Sequence, residues 1–378
     1  LLVYIGADVD NAYYEKVAGL VINKDLVKER ASELNIIYTP IHGSGNIPVR
    51  TMLNKLGYTN VHVVKEQELP NGNFPTAPYP NPENPQVFEI AIQMAKEIGS
   101  DLIFGTDPDC DRIGVIVKED SGEYKVLTGN QVGVLLTDYM LNARKIGGVL
   151  SSKDTIIKTI VTTEMAARVA ESYGAQLMNV LTGFKYIGEK IEEFEQTGSN
   201  TFVLGFEESY GYLSGGFVRD KDAVIASVLI AEMALYYKTQ GKNLAQALHD
   251  LFEKYGFYKE ALVSIQMEGK DGQEKIAEMI TALRNNPPSE VAGVAINVAE
   301  DYKLSTRVNK VAGTTETINL PKSNVLKFIL ADDSWFVIRP SGTEPKVKIY
   351  ASVVGTSAED AEAKSAAFVG AIKEILNV

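Results

Sequence analysis

Leu34-Asn35-Ile36-Ile37-Tyr38-Thr39 is an apolar run too short for a helix, and Ile47–Leu56 follows it at helical spacing up to a stop at Gly57. The same alternation continues. Val61–Val64 reads as a strand, Val87–Ile98 as a helix ended by Gly99, and Asp101–Gly105 as a strand again. Strands that alternate with helices argue for βα units and a largely parallel sheet. Between them, Asn71–Pro85 (NGNFPTAPYPNPENP) is rich in Pro and Asn and reads as an ordered loop or excursion.

A second series repeats the rhythm. Helices are expected at Val132–Arg144, Glu164–Tyr173, Tyr186–Phe194, Ala223–Lys238 and Leu244–Tyr255, with strands at Thr155–Val161, Gln176–Leu181 and Thr201–Gly205. The texture then changes. Lys259–Met267 alternates like a strand and Gln273–Arg284 has helical spacing. Three close strands follow at Val325–Leu330, Trp335–Ile338 and Val347–Val354, and a helix at Ala358–Leu376. The expected fold class is α/β: two consecutive α/β domains with mixed, largely parallel sheets (1–128 and 129–257), then a smaller α+β domain (258–378). A length of 378 residues accommodates this number of domains.

Composition narrows the function. Against 37 Lys+Arg stand 49 Asp+Glu, a net charge of −12 that repels nucleic-acid phosphates and anionic lipid. One cysteine, Cys110, forbids an internal disulfide and fits a reducing, cytoplasmic setting. Three scattered histidines make a His-rich zinc site improbable. The longest apolar stretch, Ala223–Tyr237, carries Glu232 and falls short of the ~20 residues that span a bilayer. No basic-plus-apolar leader opens the chain, whose start at Leu1, within LLVYIG, leads us to expect a missing N-terminal part.

Three loops hold the chemistry. Asp107-Pro108-Asp109-Cys110-Asp111-Arg112 follows a strand, and three carboxylates this close ionise together only around a positive charge. A hard cation with oxygen ligands suits them. The EF-hand pattern fails because Arg112 and Lys118 stand where Gly and Glu belong, so Mg²⁺ fits better. A solvated acidic turn is the plain alternative. Gly205-Phe206-Glu207-Glu208-Ser209-Tyr210-Gly211 could accept hydrogen bonds from vicinal sugar hydroxyls, or be a surface turn. Arg339-Pro340-Ser341-Gly342-Thr343-Glu344-Pro345-Lys346 gathers a guanidinium, hydroxyls, a glycine amide and a lysine, the donors that surround a phosphate. Weaker signals are Thr182-Gly183-Phe184-Lys185 and the charged run Arg219-Asp220-Lys221-Asp222. His42-Gly43-Ser44-Gly45 is not a nucleophile elbow, and no P-loop or dinucleotide fingerprint occurs.

In this order and spacing, DPDCDR, GFEESYG and RPSGTEPK resemble the metal, sugar and phosphate loops of the α-D-phosphohexomutases. TPIHGSG, YPNPENP, TGFKYIGEKI and RDKDA extend the resemblance over essentially the whole chain, which is most similar to bacterial members of the phosphoglucomutase/phosphomannomutase family. The resemblance implies a Mg²⁺-dependent interconversion of glucose 1-phosphate and glucose 6-phosphate through glucose 1,6-bisphosphate. It implies that Asp107, Asp109 and Asp111 hold the metal and that Arg112 reaches the substrate or the transferring phosphoryl group. Thr182, Glu207 and Ser209 would contact sugar hydroxyls, and Lys221 would serve as acid/base. Arg339, Ser341, Gly342 and Thr343 would grip the phosphate that stays. The family's phosphoserine loop of T-A-S-H-N-P type is absent: Thr76-Ala77-Pro78-Tyr79-Pro80 has no serine. The expectation is a chain lacking the phosphate-donating domain and inactive alone. Mannose or another hexose phosphate is an alternative substrate. A haloacid-dehalogenase-like phosphatase with Asp107 as nucleophile, Asp109 as acid and Asp332-Asp333 as metal ligands is a rival, though Asp111 breaks that pattern. A non-catalytic sugar-phosphate-binding protein is another.

Overall fold

Ile36–Thr39 forms β1, buried at all four positions and paired in parallel with Val61–Val63 (β2) and Leu102–Thr106 (β3). A strand covered on both faces reads as continuously apolar rather than alternating, which is why this run stands out in the sequence. Antiparallel strands Ile113–Lys118 (β4) and Tyr124–Leu127 (β5) complete a five-stranded sheet in the order β2-β1-β3-β4-β5. Helices Ala7–Ala18 (α1), Lys24–Arg30 (α2), Asn46–Lys55 (α3) and Glu89–Ile98 (α4) accompany it. Ala77 and Phe88, at and just after the Pro/Asn-rich loop, join Ile37, Ile103 and Ile116 in one core. Gly105 and Gly114 make room for the Phe88 ring, since a Cβ at either would lie 2.6 or 2.8 Å from it.

This computed structural model describes every residue except Leu1, Leu2, Tyr4, Glu268, Gly342, Thr343, Glu344 and Val378, and only the backbone at 269–271. The chain divides into two units, residues 1–251 and 252–378. The first unit holds a second sheet, introduced by Gly129–Ile146 (α5), whose start is closed by a capping box between Thr128 and Gln131. Its strands are Asp154–Thr159 (β6), Gln176–Val180 (β7), Thr201–Glu207 (β8) and Gly211–Leu213 (β9), in the order β7-β6-β8-β9, with only the last pair antiparallel. Helices Met165–Ser172 (α6), Lys185–Thr197 (α7), Ala223–Thr239 (α8) and Leu244–Tyr255 (α9) complete the series. Helix α8 is buried along nearly its whole length, and Asp222 caps it by accepting from the Val224 and Ile225 amides.

The second unit is α+β. Strands Phe257–Gln266 (β10), Glu290–Val291 (β11), Val294–Asp301 (β12), Thr306–Asn309 (β13), Thr314–Thr317 (β14), Leu326–Leu330 (β15), Trp335–Pro340 (β16) and Lys346–Gly355 (β17) pair antiparallel throughout. Their main order is β10-β17-β16-β15-β12-β13-β14. Helices Gly269–Asn285 (α10) and Ala358–Leu376 (α11) cover a core that includes Ile280, Phe328, Phe336, Ile349 and Phe368. No helix among the described residues is long and apolar enough to cross a membrane.

Candidate active site

Strand β3 is buried at every position and delivers Asp107 to its C-terminal end. There the chain turns back sharply. The Asp107 carboxylate accepts from the Asp111 and Arg112 amides at 3.0 and 2.9 Å, its carbonyl accepts from the Cys110 amide, and Cys110 takes a left-handed φ of 59°. Carboxylate oxygens of Asp107, Asp109 and Asp111 consequently lie within 4.8 Å of one another. Burial, and then the charges of Asp111 and Asp109, push the Asp107 carboxyl up to about 7, against the opposing pull of the Arg112 amide. A turn that gathers three carboxylates within reach of one another fits a hard divalent cation.

The turn is backed by the loop after β1. The Ser44 amide and hydroxyl both donate to the Pro108 carbonyl, at 2.8 and 3.0 Å. Gly43 has no alternative, because a Cβ there would stand 2.4 Å from the Pro108 Cα. A Cβ at Gly45 would meet Thr106, Tyr38 and Cys110. The H-G-S-G stretch, unremarkable as a nucleophile motif, is thus the support of the acidic turn. His42 at its start donates from Nδ1 to the Leu69 carbonyl and contacts the Thr76 hydroxyl through Nε2, clipping the Pro/Asn-rich loop in place.

Around the acidic turn sit two cations. Arg112 faces Glu83 at 3.4 Å, Asp111 at 3.7 Å and Asp107 at 4.0 Å. Lys221 Nζ reaches Asp111 at 2.9 Å and Asp220 at 3.2 Å, and lies 5.7 Å from the centre of the Phe184 ring. Burial works against the Lys221 ammonium, but Asp111 and then Asp220 outweigh it and hold its pKa above the usual lysine value. The methylenes of Lys221 pass over Gly211, where a Cβ would lie 2.3 Å away. Glu83 and the packing roles of these glycines carry no signal in the sequence.

The GFEESYG loop closes β8 onto β9. Glu207 is buried and accepts from the Gly183 amide at 3.0 Å, which ties the T-G-F-K turn to the same spot. Burial raises its carboxyl pKa, with Gly183, Lys221 and Arg112 pulling the other way. Ser209, two residues on, and Thr182, just before Gly183, are both half-buried. The loop is also bonded to the acidic turn: the Ile113 amide donates to the Tyr210 carbonyl at 3.1 Å, and Arg112 bridges Gly211 antiparallel. The Ala223 amide donates to the Cys110 carbonyl, also at 3.1 Å. The structure therefore brings Asp107, Asp109, Asp111, Arg112, Glu207 and Lys221 together.

In the second unit, β16 and β17 pair Arg339 with Lys348 and Pro340 with Val347, and the Ser341 amide donates to the Lys346 carbonyl at 2.7 Å. Arg339 and Ser341 are half-buried at this hairpin end, whereas Gly342 and Thr343 fall outside the described residues. Asp332 and Asp333, the distant ligands of the phosphatase alternative, make the turn before β16, where Asp332 accepts from the Ser334 amide.

Three family models match in sequence: the phosphoglucomutase/phosphomannomutase alpha/beta/alpha domain II at residues 11–122, domain III at 128–255, and the C-terminal domain at 294–368. The chain belongs to the phosphoglucomutase/phosphomannomutase family. It is 35% identical over 347 residues to a phosphoglucomutase of Staphylococcus haemolyticus, which covers 92% of this chain and 62% of the relative. The chain thus spans about three-fifths of the length of such curated relatives. Among solved structures, parafusin from Paramecium, a phosphoglucomutase in an open form, superposes with a TM-score of 0.67 at 15% identity, covering 97% of this chain and 62% of its own. An N-acetylphosphoglucosamine mutase variant of Aspergillus fumigatus, solved with glucose 1,6-bisphosphate, gives a TM-score of 0.51 at 13% identity over 97% of this chain and 65% of its own. At such identities the structures show a shared fold.

Proposed function

We propose that this chain carries the metal-, sugar- and phosphate-binding parts of a phosphoglucomutase, within three domains at 1–128, 129–257 and 258–378. The reaction would interconvert glucose 1-phosphate and glucose 6-phosphate through glucose 1,6-bisphosphate. The observation that supports it most is the meeting of Asp107, Asp109 and Asp111 with Lys221 and the Glu207 loop in one hydrogen-bonded cluster. Asp107, Asp109 and Asp111 would hold Mg²⁺. When bound, the ion would neutralise charge on a transferring phosphoryl group. Arg112, with Glu83 and two aspartates steadying its guanidinium, would reach the same group. Lys221 is held protonated by its carboxylate neighbours, so it is placed to give a proton to a departing sugar oxygen and to recover it in reverse. Thr182, Glu207 and Ser209 would fix the sugar through its hydroxyls. Arg339, Ser341, Gly342 and Thr343 would hold the ester phosphate that is not transferred, a remote contact that helps orient either ester.

A phosphoserine donor loop does not occur in these 378 residues. The chain by itself should bind hexose phosphates without turning them over. A coupled assay with glucose 1-phosphate and catalytic glucose 1,6-bisphosphate tests this: binding with no glucose 6-phosphate formed is expected, and turnover by the purified chain would refute the assignment of its parts.

A further inference from the structure

Glu208 lies between Glu207 and Ser209 in the GFEESYG loop, and its carboxylate has partners that Glu207, bonded to the Gly183 amide, does not share. It meets the hydroxyls of Thr162 and Thr159 at 3.3 and 3.4 Å, and these hydroxyls are 2.8 Å from each other. Thr159 ends β6 and Thr162 lies in the turn after it; β6 pairs in parallel with β8, so this turn and the loop lie at the same end of the sheet. Behind them Lys158, with no exposed surface, donates to the Thr162 carbonyl and to Glu164, each at 3.1 Å. Thr162 is thus held at both ends, its carbonyl by an ammonium and its hydroxyl by a carboxylate.

Burying a lysine and several hydroxyls at a strand end costs free energy that apolar packing would avoid. What the arrangement provides is a fixed setting for the loop. An ionised carboxylate can only accept, so whichever threonine hydroxyl donates to Glu208 ties its side chain to this turn. The loop backbone is set separately: a Cβ on Gly129 would come within 2.2 Å of the Glu208 carbonyl oxygen, and Tyr210 adopts a left-handed φ of 67°.

We infer that Glu208, through the buried Thr159/Thr162/Lys158 network, is a positioning residue that sets which sugar hydroxyls Glu207 and Ser209 can read. It does not touch the sugar. The inference rests on the sugar-binding reading of the loop given above, and the test separates the two.

The experiment is a titration of the full chain, with Mg²⁺ present, with glucose 1-phosphate and each of its monodeoxy analogues. Glu207→Gln should weaken glucose 1-phosphate and abolish discrimination against at least one deoxy analogue; if it changes nothing, the sugar-loop reading itself fails. Glu208→Ala should weaken glucose 1-phosphate roughly fivefold to thirtyfold, the range that coupled neighbours give, and erase the same discrimination. Affinity for inorganic phosphate and for Mg²⁺ alone should be unchanged. Glu208→Gln, which keeps an acceptor oxygen for the threonines, should restore most of the discrimination. Thr162→Val should mimic Glu208→Ala, and the double variant should be no worse than either. If Glu207→Gln acts but Glu208→Ala binds every analogue as the parent does, the inference is wrong. It is equally wrong if Glu208→Ala loses affinity for all ligands in proportion to a fall in melting temperature.

Discussion

The acidic turn of the first unit and the Arg339 hairpin of the second are built on opposite plans. The turn at Asp107–Arg112 accepts hydrogen bonds from the Ser44 amide and hydroxyl and from the Ala223 amide, is followed at once by Ile113, which donates to Tyr210, and leans on glycines that admit its backbone. The hairpin at Arg339–Lys346 is organised by its own two strands and the Ser341–Lys346 bond, with Met267 bonding the Pro345 carbonyl. The contrast follows from the charges. Three carboxylates must be held together against their repulsion, which only a rigid surround achieves. On the proposed phosphate-binding role, the hairpin would meet a ligand that brings its own charge and needs donors rather than acceptors.

This contrast can be broken or sharpened. Asp109→Asn should give the largest change. A direct metal ligand ought to matter at least as much as the supporting partners whose loss typically costs roughly 10–100-fold, so calorimetry should show Mg²⁺ binding all but lost while folding is intact. Arg339→Ala comes next. Glucose 1-phosphate and glucose 6-phosphate should each weaken roughly ten- to a hundredfold, as expected for a charge-assisted contact, with unphosphorylated glucose unaffected and the melting curve unmoved. Equal binding of either ester by the variant would count against the clamp.

Gly43→Ala probes the bracing. Its Cβ must displace Pro108, so the melting temperature should fall by an amount corresponding to about 1–3 kcal/mol, and Mg²⁺ affinity should fall with it. If metal affinity survives, the turn tolerates more than its surroundings suggest. Smallest of all, Tyr13→Phe removes a hydroxyl that donates to the helix-capping Asp222 at 2.8 Å. Chemical denaturation should register about 1.5 kcal/mol, the low end for a bond to a carboxylate, and ligand titrations no change.

Much of the fold was legible because the decisive elements are monotonous. Leu244–Tyr255 and Ala358–Leu376 start and stop where spacing and glycine or cap residues say they should, the latter with Ser357 accepting from the Asp360 amide. Helix α1 was not legible, since only Tyr14 and Val17 of its residues are buried and no apolar stripe marks it. Strand β14 (TTET) is exposed at every position and so shows no alternation. The Asp107, Glu207 and Arg339 loops announce themselves through charge. The braces do not. Gly43, Gly129 and Gly211 matter for the atoms they let in, and sequence shows which residue is small but not what lies against it. Glu83 is far from Arg112 in the chain and looks like any loop acid until the Pro-rich segment folds back.

The bridge between Arg112 and Gly211 joins loops that grow from different sheets. Each loop is therefore tied to the other at one point. Adding or deleting a residue beside it would strain that bridge together with the Ile113–Tyr210 and Ala223–Cys110 bonds around it. Neither segment can lengthen or shorten without that strain, so variation in loop size should gather elsewhere, in stretches such as the exposed turn between β13 and β14.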